Sequence, residues 1–417
     1  MKRFAHGHAT HPDWRMALAL AAAQIDAQLG AASRDPAAAG KPSLGWLYFS
    51  DHYAPQAVAL LADVQKRWPT VAWVGGVGVG VAASGVEYFD EPALVLMLAE
   101  LPAAQFRVFS GARPLGDFAA HTAQVHADPR TAELAELIGD MSDRTATGYL
   151  FGGLASARTD TLHIAGEVLH GGLSGVAFTR AVALVSRVTQ GCQPVGPQRR
   201  VSEVDRNVVT ALDGEPALDC LLRDLGVSGN EPREALPRLR QTLVGLSDPR
   251  DTTHPSAADG PRDPALQRGA FGPDVRVRNL VGLDPSRRGI AIADHAEVGM
   301  QLAFCARDKE AARRDLVRIC SEIRDEVEPE TLPLAAAIAL KNADAGDAAT
   351  SYTHGIAGAV YVSCAGRGGP HFGAPSAELQ IVQRALGEVP LVGFFASGEI
   401  ARHHLYGYTG VLTVFRS

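Results

Sequence analysis

The stretch that decides the fold reads GAVYVSCAGRGGPHF (358–372), SAELQIVQRAL (376–386), PLVGFFASGEIARHH (390–404) and LYGYTGVLTVF (405–415). The β-branched and aromatic runs 360–364 and 391–395 are bounded by Gly or Pro, which is typical of short strands buried on both faces. Between them, Leu379, Val382 and Leu386 recur at helical spacing. The stretch therefore predicts a buried strand, a glycine-rich turn, an amphipathic helix, a second buried strand, a hairpin and a closing strand.

The same order of elements recurs earlier in the chain. GWLYFS (45–50) aligns with GAVYVS (358–363), so that Tyr48 matches Tyr361 and Ser50 matches Ser363. VAWVGGVGVGV (71–81) aligns with PLVGFFASGEI (390–400), and a third copy of the later half is visible in GYLFGGLAS (148–156) and HGGLSGVAF (170–178). A single strand–helix–strand–hairpin unit cannot bury both of its faces, so we expect several units to pack together.

The length and the pattern predict an α/β to α+β protein. A chain of 417 residues is long enough for two or three domains. We expect two domains of mixed β-sheets covered by helices, layered helix–sheet–sheet–helix. The predicted division is an N-terminal helix within 1–30, a first domain at 31–228 and a second at 229–417. Within the second, residues 247–273 are rich in Pro, Gly, Asp and Ser, which predicts a flexible loop that is either a lid or a passive insertion.

Composition argues against several classes of function. The formal net charge is -7, and no stripe of Lys and Arg with interleaved aromatic residues is present, so a nucleic-acid partner is not expected. No apolar run approaches the roughly 20 residues that span a bilayer, so no membrane association is expected either. The five cysteines are scattered without a CxxC pair, which favours a reducing cytoplasm over a disulfide framework or zinc ribbon.

A glycine-rich turn at 78–83 fits the pattern GxGxxA and directly follows a predicted strand. Dinucleotide binding requires a helix next, whose N-terminal N–H groups contact the pyrophosphate. Here a hairpin and a strand follow instead, so the glycines indicate a tight turn or close packing. The sequence therefore predicts no cofactor.

Polar side chains follow the two buried strands of the C-terminal stretch. Arg367 and Glu399 lie in loops after these strands, where binding sites are common. An Arg fork and a carboxylate facing one pocket suit the carboxylate and ammonium groups of an amino acid. The alternative is a structural salt bridge between adjacent loops. Asn279 and Arg278, before the VGLDP turn, are further candidates for the same pocket.

Cys364 allows two alternative chemistries. A thiolate beside His371 would suit covalent catalysis by a hydrolase or transferase, although no catalytic residue is assigned. The same thiol with His403 and His404 could ligate a transition metal, although no metal site is assigned. An inert, buried thiol at a strand end is the remaining interpretation.

The chain resembles the FIST proteins in segments that extend over most of its length. The matching segments are FGGLAS (151–156), 189–218, RNLVGLDPSRRGIAIADHAEVG (278–299), SCAGRG (363–368) and GFFASGEI (393–400) with the closing strand. The resemblance implies an N-terminal and a C-terminal FIST domain that together sense small ligands such as amino acids. It also implies that Cys364, Arg367, Gly398 and Glu399 occupy recurrent motif positions, as ligand contacts or as structural residues.

These observations lead to one hypothesis and two alternatives. The hypothesis is a stand-alone cytoplasmic sensory protein of bacterial type that binds a small, polar, amino-acid-like ligand. Because the sequence contains no kinase, methyl-accepting, cyclase or F-box segment, the signal would pass to a separate partner protein. The alternatives are a cysteine-dependent hydrolase or transferase that uses Cys364, and an interaction scaffold without a ligand.

Overall fold

The computed structural model describes residues 4–31, 41–227, 238–239, 242–247, 275–327 and 355–417. The strands, in chain order, are β1 (Phe4–Thr10), β2 (Leu44–Ser50), β3 (Ala72–Gly78), β4 (Gly80–Ala83), β5 (Val86–Phe89), β6 (Ala93–Ala99), β7 (Phe106–Phe109), β8 (Thr122–Ala127), β9 (Leu150–Leu154), β10 (His163–Ala165), β11 (Val168–Leu169), β12 (Leu173–Phe178), β13 (Leu184–Gln190), β14 (Cys192–Pro194), β15 (Arg199–Asp205), β16 (Val208–Leu212), β17 (Glu215–Pro216), β18 (Thr242–Ser247), β19 (Arg276–Asp284), β20 (Gly289–Ile292), β21 (Gln301–Arg307), β22 (Ile356–Cys364), β23 (Leu391–Ala396), β24 (Glu399–Arg402), β25 (His404–Tyr406) and β26 (Thr409–Arg416). The α-helices are α1 (Trp14–Ala31), α2 (Ala57–Arg67), α3 (Leu134–Asp143), α4 (Ala217–Asp224), α5 (Lys309–Val327) and α6 (Ala377–Leu386). The prediction of a mixed α/β protein is confirmed. The predicted loop at 247–273 lies, apart from Ser247, outside the described residues.

The chain forms two compact units, and the first is discontinuous in sequence. Unit 1 consists of Met1–Thr189, Arg313–Leu405 and Thr409–Ser417, and unit 2 of Gln190–Ala312 with Tyr406–Tyr408. Unit 2 is therefore inserted between parts of unit 1. The predicted boundary near residue 228 describes a linear division of the chain, and it stays a prediction, as does the helix–sheet–sheet–helix layering.

Unit 1 contains three six-stranded sheets with the same arrangement of strands. Their orders are β1-β6-β2-β3-β10-β11 (sheet A), β13-β26-β22-β23-β4-β5 (sheet B) and β7-β12-β8-β9-β24-β25 (sheet C). A parallel pair lies at the centre of each sheet: β2 with β3, β22 with β23, and β8 with β9. An antiparallel strand flanks each side of that pair. In chain order, one α-helix lies between the two strands of each pair: α2, α6 and α3, respectively.

The hairpin that follows each parallel pair joins a different sheet. The β4–β5 hairpin pairs with β23 of sheet B, β10–β11 with β3 of sheet A, and β24–β25 with β9 of sheet C. The exchange is cyclic, because each of the three segments gives its hairpin to one sheet and receives a hairpin from another. No single segment therefore completes its own sheet.

A glycine in the second parallel strand lets two backbones approach closely. A Cβ atom on Gly152 would lie only 1.9 Å from the Val125 carbonyl oxygen. Likewise, a Cβ atom on Gly75 would lie 2.0 Å from the Leu47 carbonyl oxygen. Both glycines have a φ of 144°, a region that L side chains rarely adopt. These positions therefore require glycine on both conformational and steric grounds.

The strand registers correct the alignment of the repeated segments. Tyr48 hydrogen-bonds the His126 ring, whereas its neighbour Leu47 packs in the core beside α1 and α2. Tyr361 lies on the helix-covered face of its strand, where it donates to Glu378 of α6. The position of Tyr361 therefore corresponds to that of Leu47, and the alignment of Tyr361 with Tyr48 is wrong by one residue. A slip of one residue moves every side chain of a strand to the opposite face.

The β1 strand gave no clear signal in the sequence. Its residues FAHGHAT alternate between partly exposed and buried positions, and the buried ones are only Ala and Gly. It pairs along its whole length with β6, from Phe4 opposite Ala99 to Thr10 opposite Ala93. Helix α1 covers it, and Gly7 meets the backbone of Ala21 on that helix. Tertiary packing rather than strand propensity thus stabilises this edge of sheet A.

Unit 2 is built around a closed antiparallel barrel. Its strands follow the order β14-β21-β15-β16-β20-β19-β18, and a further pairing of β18 with β21 closes six of them into a ring. The barrel core includes Val201, Val209, Leu246, Ile290 and Phe304, all of them buried. Closure removes free sheet edges, which are the usual sites of unwanted strand pairing.

Replacing Gly152 by Ala tests the close backbone contact. We expect Gly152→Ala to destabilise the protein by about 3 kcal/mol or more, because strain at positive φ adds to the clash with Val125. The matched control is Gly139→Ala in α3, where an added Cβ meets nothing within 4 Å. That change should stabilise the helix by about 0.5–1 kcal/mol. Urea unfolding followed by circular dichroism measures both variants. A Gly152→Ala variant as stable as wild type would show that this position does not require glycine.

Candidate functional site

The loop between β22 and α6 carries most of the residues singled out by the sequence. Cys364 ends the strand, and a 3₁₀ turn at Gly369–Phe372 leads towards the helix. Gly369 and Gly373 both have positive φ, at 68° and 96°, so the loop folds back tightly between the strand and the helix. Arg367 is thereby directed inwards and is only 1% exposed.

Arg367 forms a buried ion pair with Glu378 of α6. Its Nε and Nη2 atoms donate to Glu378 Oε1 at 2.9 Å and 2.6 Å. Two neighbours from β22 complete the shell of the carboxylate: the Tyr361 hydroxyl donates to Oε1 at 2.6 Å and the Ser363 hydroxyl to Oε2 at 3.0 Å. The carboxylate thus accepts four hydrogen bonds, which compensates for the removal of both charges from water. The Phe372 ring covers the guanidinium, 5.1 Å from its centroid.

Glu399 is the second buried carboxyl group of the site. It begins β24, is completely buried, and accepts hydrogen bonds on Oε2 from the Thr409 backbone N–H at 3.1 Å and hydroxyl at 2.8 Å. Burial raises its pKa to about 8, against the opposing effects of the Thr409 donors, the charge of Arg367 and the neighbouring Cys364 thiol. Glu399 is therefore a neutral acid at pH 7.

Glu87 fastens the loop from the side. It belongs to β5, so the hairpin exchange brings it into sheet B. Its Oε1 accepts from the backbone N–H groups of Gly369 at 3.2 Å and Ser376 at 2.9 Å, and the Ser376 hydroxyl accepts from the Glu87 backbone N–H. Burial raises the pKa of Glu87 to about 7; the backbone bonds oppose this effect and the charge of Glu378 adds to it. The loop over Arg367 is therefore held by a group that titrates near neutrality.

Two buried polar atoms of this cluster lack a hydrogen-bond partner. They are Nη1 of Arg367 and Oε1 of Glu399. Buried polar groups are nearly always satisfied, so each such atom in a folded protein needs an explanation, such as a bound water, ion or ligand. The two atoms belong to a cationic and an acidic group, and the Cys364 thiol interacts with both side chains.

The structure places the other predicted residues as follows. Gly398 is buried, and a Cβ there would lie 2.9 Å from the Leu405 side chain. Asn279 belongs to unit 2, where its side-chain oxygen accepts from the Tyr408 hydroxyl at 3.0 Å. Arg278 of the same unit pairs with Asp294 at 2.8 Å. The alternative interpretation, a structural salt bridge between Arg367 and Glu399, is wrong, because Arg367 pairs with Glu378.

The structure does not support the alternative metal site. No group of three or more His, Cys, Asp or Glu side chains in the described part of the chain is arranged to hold a metal ion. The rings of His403 and His404 contact each other at the turn between β24 and β25, with centroids 3.9 Å apart and a tilt of 49°. His371 is half-buried beside Phe372 in the 3₁₀ turn. A catalytic role for Cys364 with His371 stays a prediction.

Sequence reasoning missed Glu378 and Glu87, which organise the site. Glu378 occurs in the first turn of a predicted amphipathic helix, a position usually explained by the helix dipole. One feature of the sequence indicated that Glu378 is buried, namely its spacing from Val382. Residues four apart in a helix lie on the same face, and Val382 is on the buried face. Glu87 had no signal, since its role depends on the exchange of the hairpin.

Comparisons with known proteins identify the family. The family model of the FIST N domain matches residues 43–215, and that of the FIST C domain matches residues 217–402. The chain belongs to the FIST family. An uncharacterized protein of Mycobacterium tuberculosis is 31% identical over 432 residues, and the match covers 99% of each chain. An uncharacterized protein of Mycobacterium bovis is 30% identical over 433 residues, covering 99% of this chain and 98% of the relative.

Membership supports a sensory role, because FIST domains are modules that sense small ligands. The resemblance seen in the sequence is confirmed. Of the helices in the described ranges, none has the length and apolar character needed to cross a membrane.

Replacing Glu378 by Gln tests the buried ion pair. The variant keeps the shape of the side chain but leaves the Arg367 charge uncompensated, so we expect a loss of about 3–5 kcal/mol in the free energy of unfolding. Glu388→Gln is the control, because Glu388 is exposed and a glutamine oxygen can still accept the bond from Gln383. Urea unfolding compares the two; a loss below about 1 kcal/mol for Glu378→Gln would contradict the assigned network.

The raised pKa of Glu399 predicts a pH-dependent stability. Between pH 4.5 and about 8 the unfolded chain ionises this group while the folded chain keeps it protonated. In this range the unfolded state binds fewer protons than the folded state. The titration of Glu399 therefore lowers the free energy of unfolding as pH rises, by at most about 1.4 kcal/mol per pH unit. Glu399→Gln removes this dependence. We therefore expect the variant to gain stability relative to wild type from pH 5.5 to 7.5 in urea unfolding; a constant difference would show that Glu399 titrates normally.

Proposed function

We propose that the protein senses a small zwitterionic ligand, such as an α-amino acid, at the Cys364–Arg367–Glu399 cluster. The observation that carries this proposal is the pair of unsatisfied buried atoms, Arg367 Nη1 and Glu399 Oε1. One belongs to a cation and the other to an acid. A ligand carboxylate would accept from the guanidinium, and a ligand ammonium group would donate to the carboxyl group. Cys364 and Gly398 are the remaining residues of the proposed site.

Ligand entry requires the loop after β22 to open, because Arg367 and Glu399 are 1% and 0% exposed. The contacts that hold the loop closed are those of Glu87 with Gly369 and Ser376. In the proposed mechanism the ligand selects one arrangement of this loop, and the change in population is the signal. The loop is attached to α6 and β22, which would carry the change to the surface of unit 1.

In this mechanism, ligand binding is coupled to the release of a proton from Glu399. An ammonium group interacts better with the ionised form of Glu399, which is the minor form below pH 8. Binding should therefore release a proton, and affinity for an amino acid should rise with pH towards 8. A ligand without an ammonium group should show no such dependence at this residue.

The proposal includes a separate partner that reads the signal and a cytoplasmic location. These parts rest on the family's sensory role and on the composition of the chain rather than on a contact seen here. Nucleic acid is not among the proposed partners, since the net charge is -7. Asn279, which belongs to unit 2, stays a separate prediction as a ligand contact.

The test is a thermal-shift screen of the whole chain against the α-amino acids, followed by calorimetry of any that bind. A ligand at 100 times its Kd adds about 2.7 kcal/mol to the stability of the folded state. We expect at least one amino acid to raise the Tm, and calorimetry in buffers of different ionisation enthalpy to reveal proton release at pH 7. Glu399→Gln should weaken binding at least tenfold and abolish the proton release.

Glu388→Gln serves as the binding control. It neutralises an exposed carboxylate that hydrogen-bonds Gln383 and does not belong to the cluster. Arg367→Ala is a poor test, since it leaves Glu378 buried without its partner. Failure of every amino acid to bind, or binding that Glu399→Gln leaves unchanged, would overturn the proposal.

A further inference from the structure

A second candidate site is a cleft at the opposite end of the strands from Cys364. It has a volume of about 400 Å³ and lies between the beginning of β9, the segment before β13, and β26. Along β26, Gly410 pairs with Ser363 near the Cys364 cluster, whereas Thr413, which lines the cleft, pairs with Val360 and Arg416 with Ile356. The cleft therefore belongs to unit 1 but is separate from the cluster of Arg367 and Glu399.

The floor of the cleft is apolar. Phe151, Val182 and Val185 line it and are 1%, 1% and 3% exposed. Clefts of about 300–1,000 Å³ with apolar walls and a few convergent polar groups are the usual form of small-molecule sites. The volume and the lining of this cleft meet both conditions.

A chain of hydroxyl groups crosses one wall. Ser186 Oγ lies 2.8 Å from Thr413 Oγ1, and the Tyr149 hydroxyl hydrogen-bonds Ser186. Burial raises the pKa of Tyr149, while its bond with Ser186 and the charges of Arg402 and Arg187 act in the opposite direction. The phenol therefore remains protonated at neutral pH and can donate to an acceptor.

The charged groups of the cleft are mostly arginines. Arg180, Arg187 and Arg416 line it, with Glu326 as the one carboxylate among the described lining residues. Arg187 is neutralised by Glu322 at 3.2 Å and Glu326 at 2.5 Å. Arg180 and Arg416 form no ion pair with any residue that the structure describes, so two positive charges remain at the cleft.

We propose that this cleft binds a carboxylate with an apolar body, such as an aromatic acid, as a second ligand of the protein. The body would pack on Phe151, Val182 and Val185. The carboxylate would face Arg180, Arg416 and the hydroxyl chain. This chemistry differs from that of the Cys364 cluster, which presents an acid as well as a cation. The proposal does not depend on the function proposed for that cluster.

The experiment is calorimetric titration of the whole chain with 1-naphthoate and with its neutral isostere 1-naphthalenemethanol. We expect 1-naphthoate to bind, and the alcohol to bind at least tenfold more weakly because it lacks the charge. Arg180→Gln and Arg416→Gln should each lower the affinity for 1-naphthoate several-fold and reduce its dependence on salt. Equal binding of the acid and the alcohol would overturn the assignment of an anion site.

A steric variant locates the binding without changing any charge. Ala183 lines the cleft and is exposed, so Ala183→Trp should fill the cleft and abolish binding of 1-naphthoate while the protein stays folded. Ala181→Trp is the matched control, since Ala181 is exposed two residues away and does not line the cleft. Glu399→Gln should retain full affinity, which separates this site from the Cys364 cluster. Absence of binding to wild type, or binding that Ala183→Trp leaves intact, would contradict the proposal.

Discussion

The cyclic exchange of hairpins is the constraint on which unit 1 depends. Each sheet lacks its outer pair of strands until a hairpin arrives from another segment, so its backbone groups stay unpaired until then. The partners are distant in sequence: β4 pairs with β23 across most of the chain. Such non-local pairing has a high entropic cost before it yields stabilising contacts, and it makes folding slow and cooperative. We therefore expect unit 1 to fold as a single cooperative unit.

The exchange also creates the candidate site. Glu87 reaches the loop over Arg367 because its hairpin belongs to sheet B, and Glu399 belongs to the hairpin that sheet B's own segment gives to sheet C. The ion pair of Arg367 with Glu378 adds little net stability, since removing two charges from water offsets most of their attraction. Its effect is specificity: four hydrogen bonds to one carboxylate fix the loop, the strand and α6 in a single arrangement. An unsatisfied atom beside so ordered a network is a stronger indication of a ligand than one in a mobile region.

Some elements of the fold and of the candidate site could be predicted from the sequence, and others could not. The buried strands β22 and β23, the helix between them and the following hairpin were predicted, because hydrophobic periodicity and bounding glycines are local signals. The β1 strand, the register of the repeated segments and the partner of Arg367 were not. Each depends on which face of an element meets another element, and a shift of one residue reverses that face. Cys364, Arg367 and Glu399 do lie in one cluster, but the carboxylate that binds Arg367 is Glu378.

The sequence by itself determined the α/β class, the family and the strand-end position of the polar residues, because these follow from local patterns of apolar, glycine and polar residues. The tertiary structure decided the closure of unit 2 into a barrel, the exchange of hairpins in unit 1 and the burial of Glu399. It also decided the cleft lined by Tyr149, Ser186 and Thr413, whose residues are far apart in the chain. The physical reason is that burial, pKa and strand pairing are properties of surroundings that only the folded chain assembles.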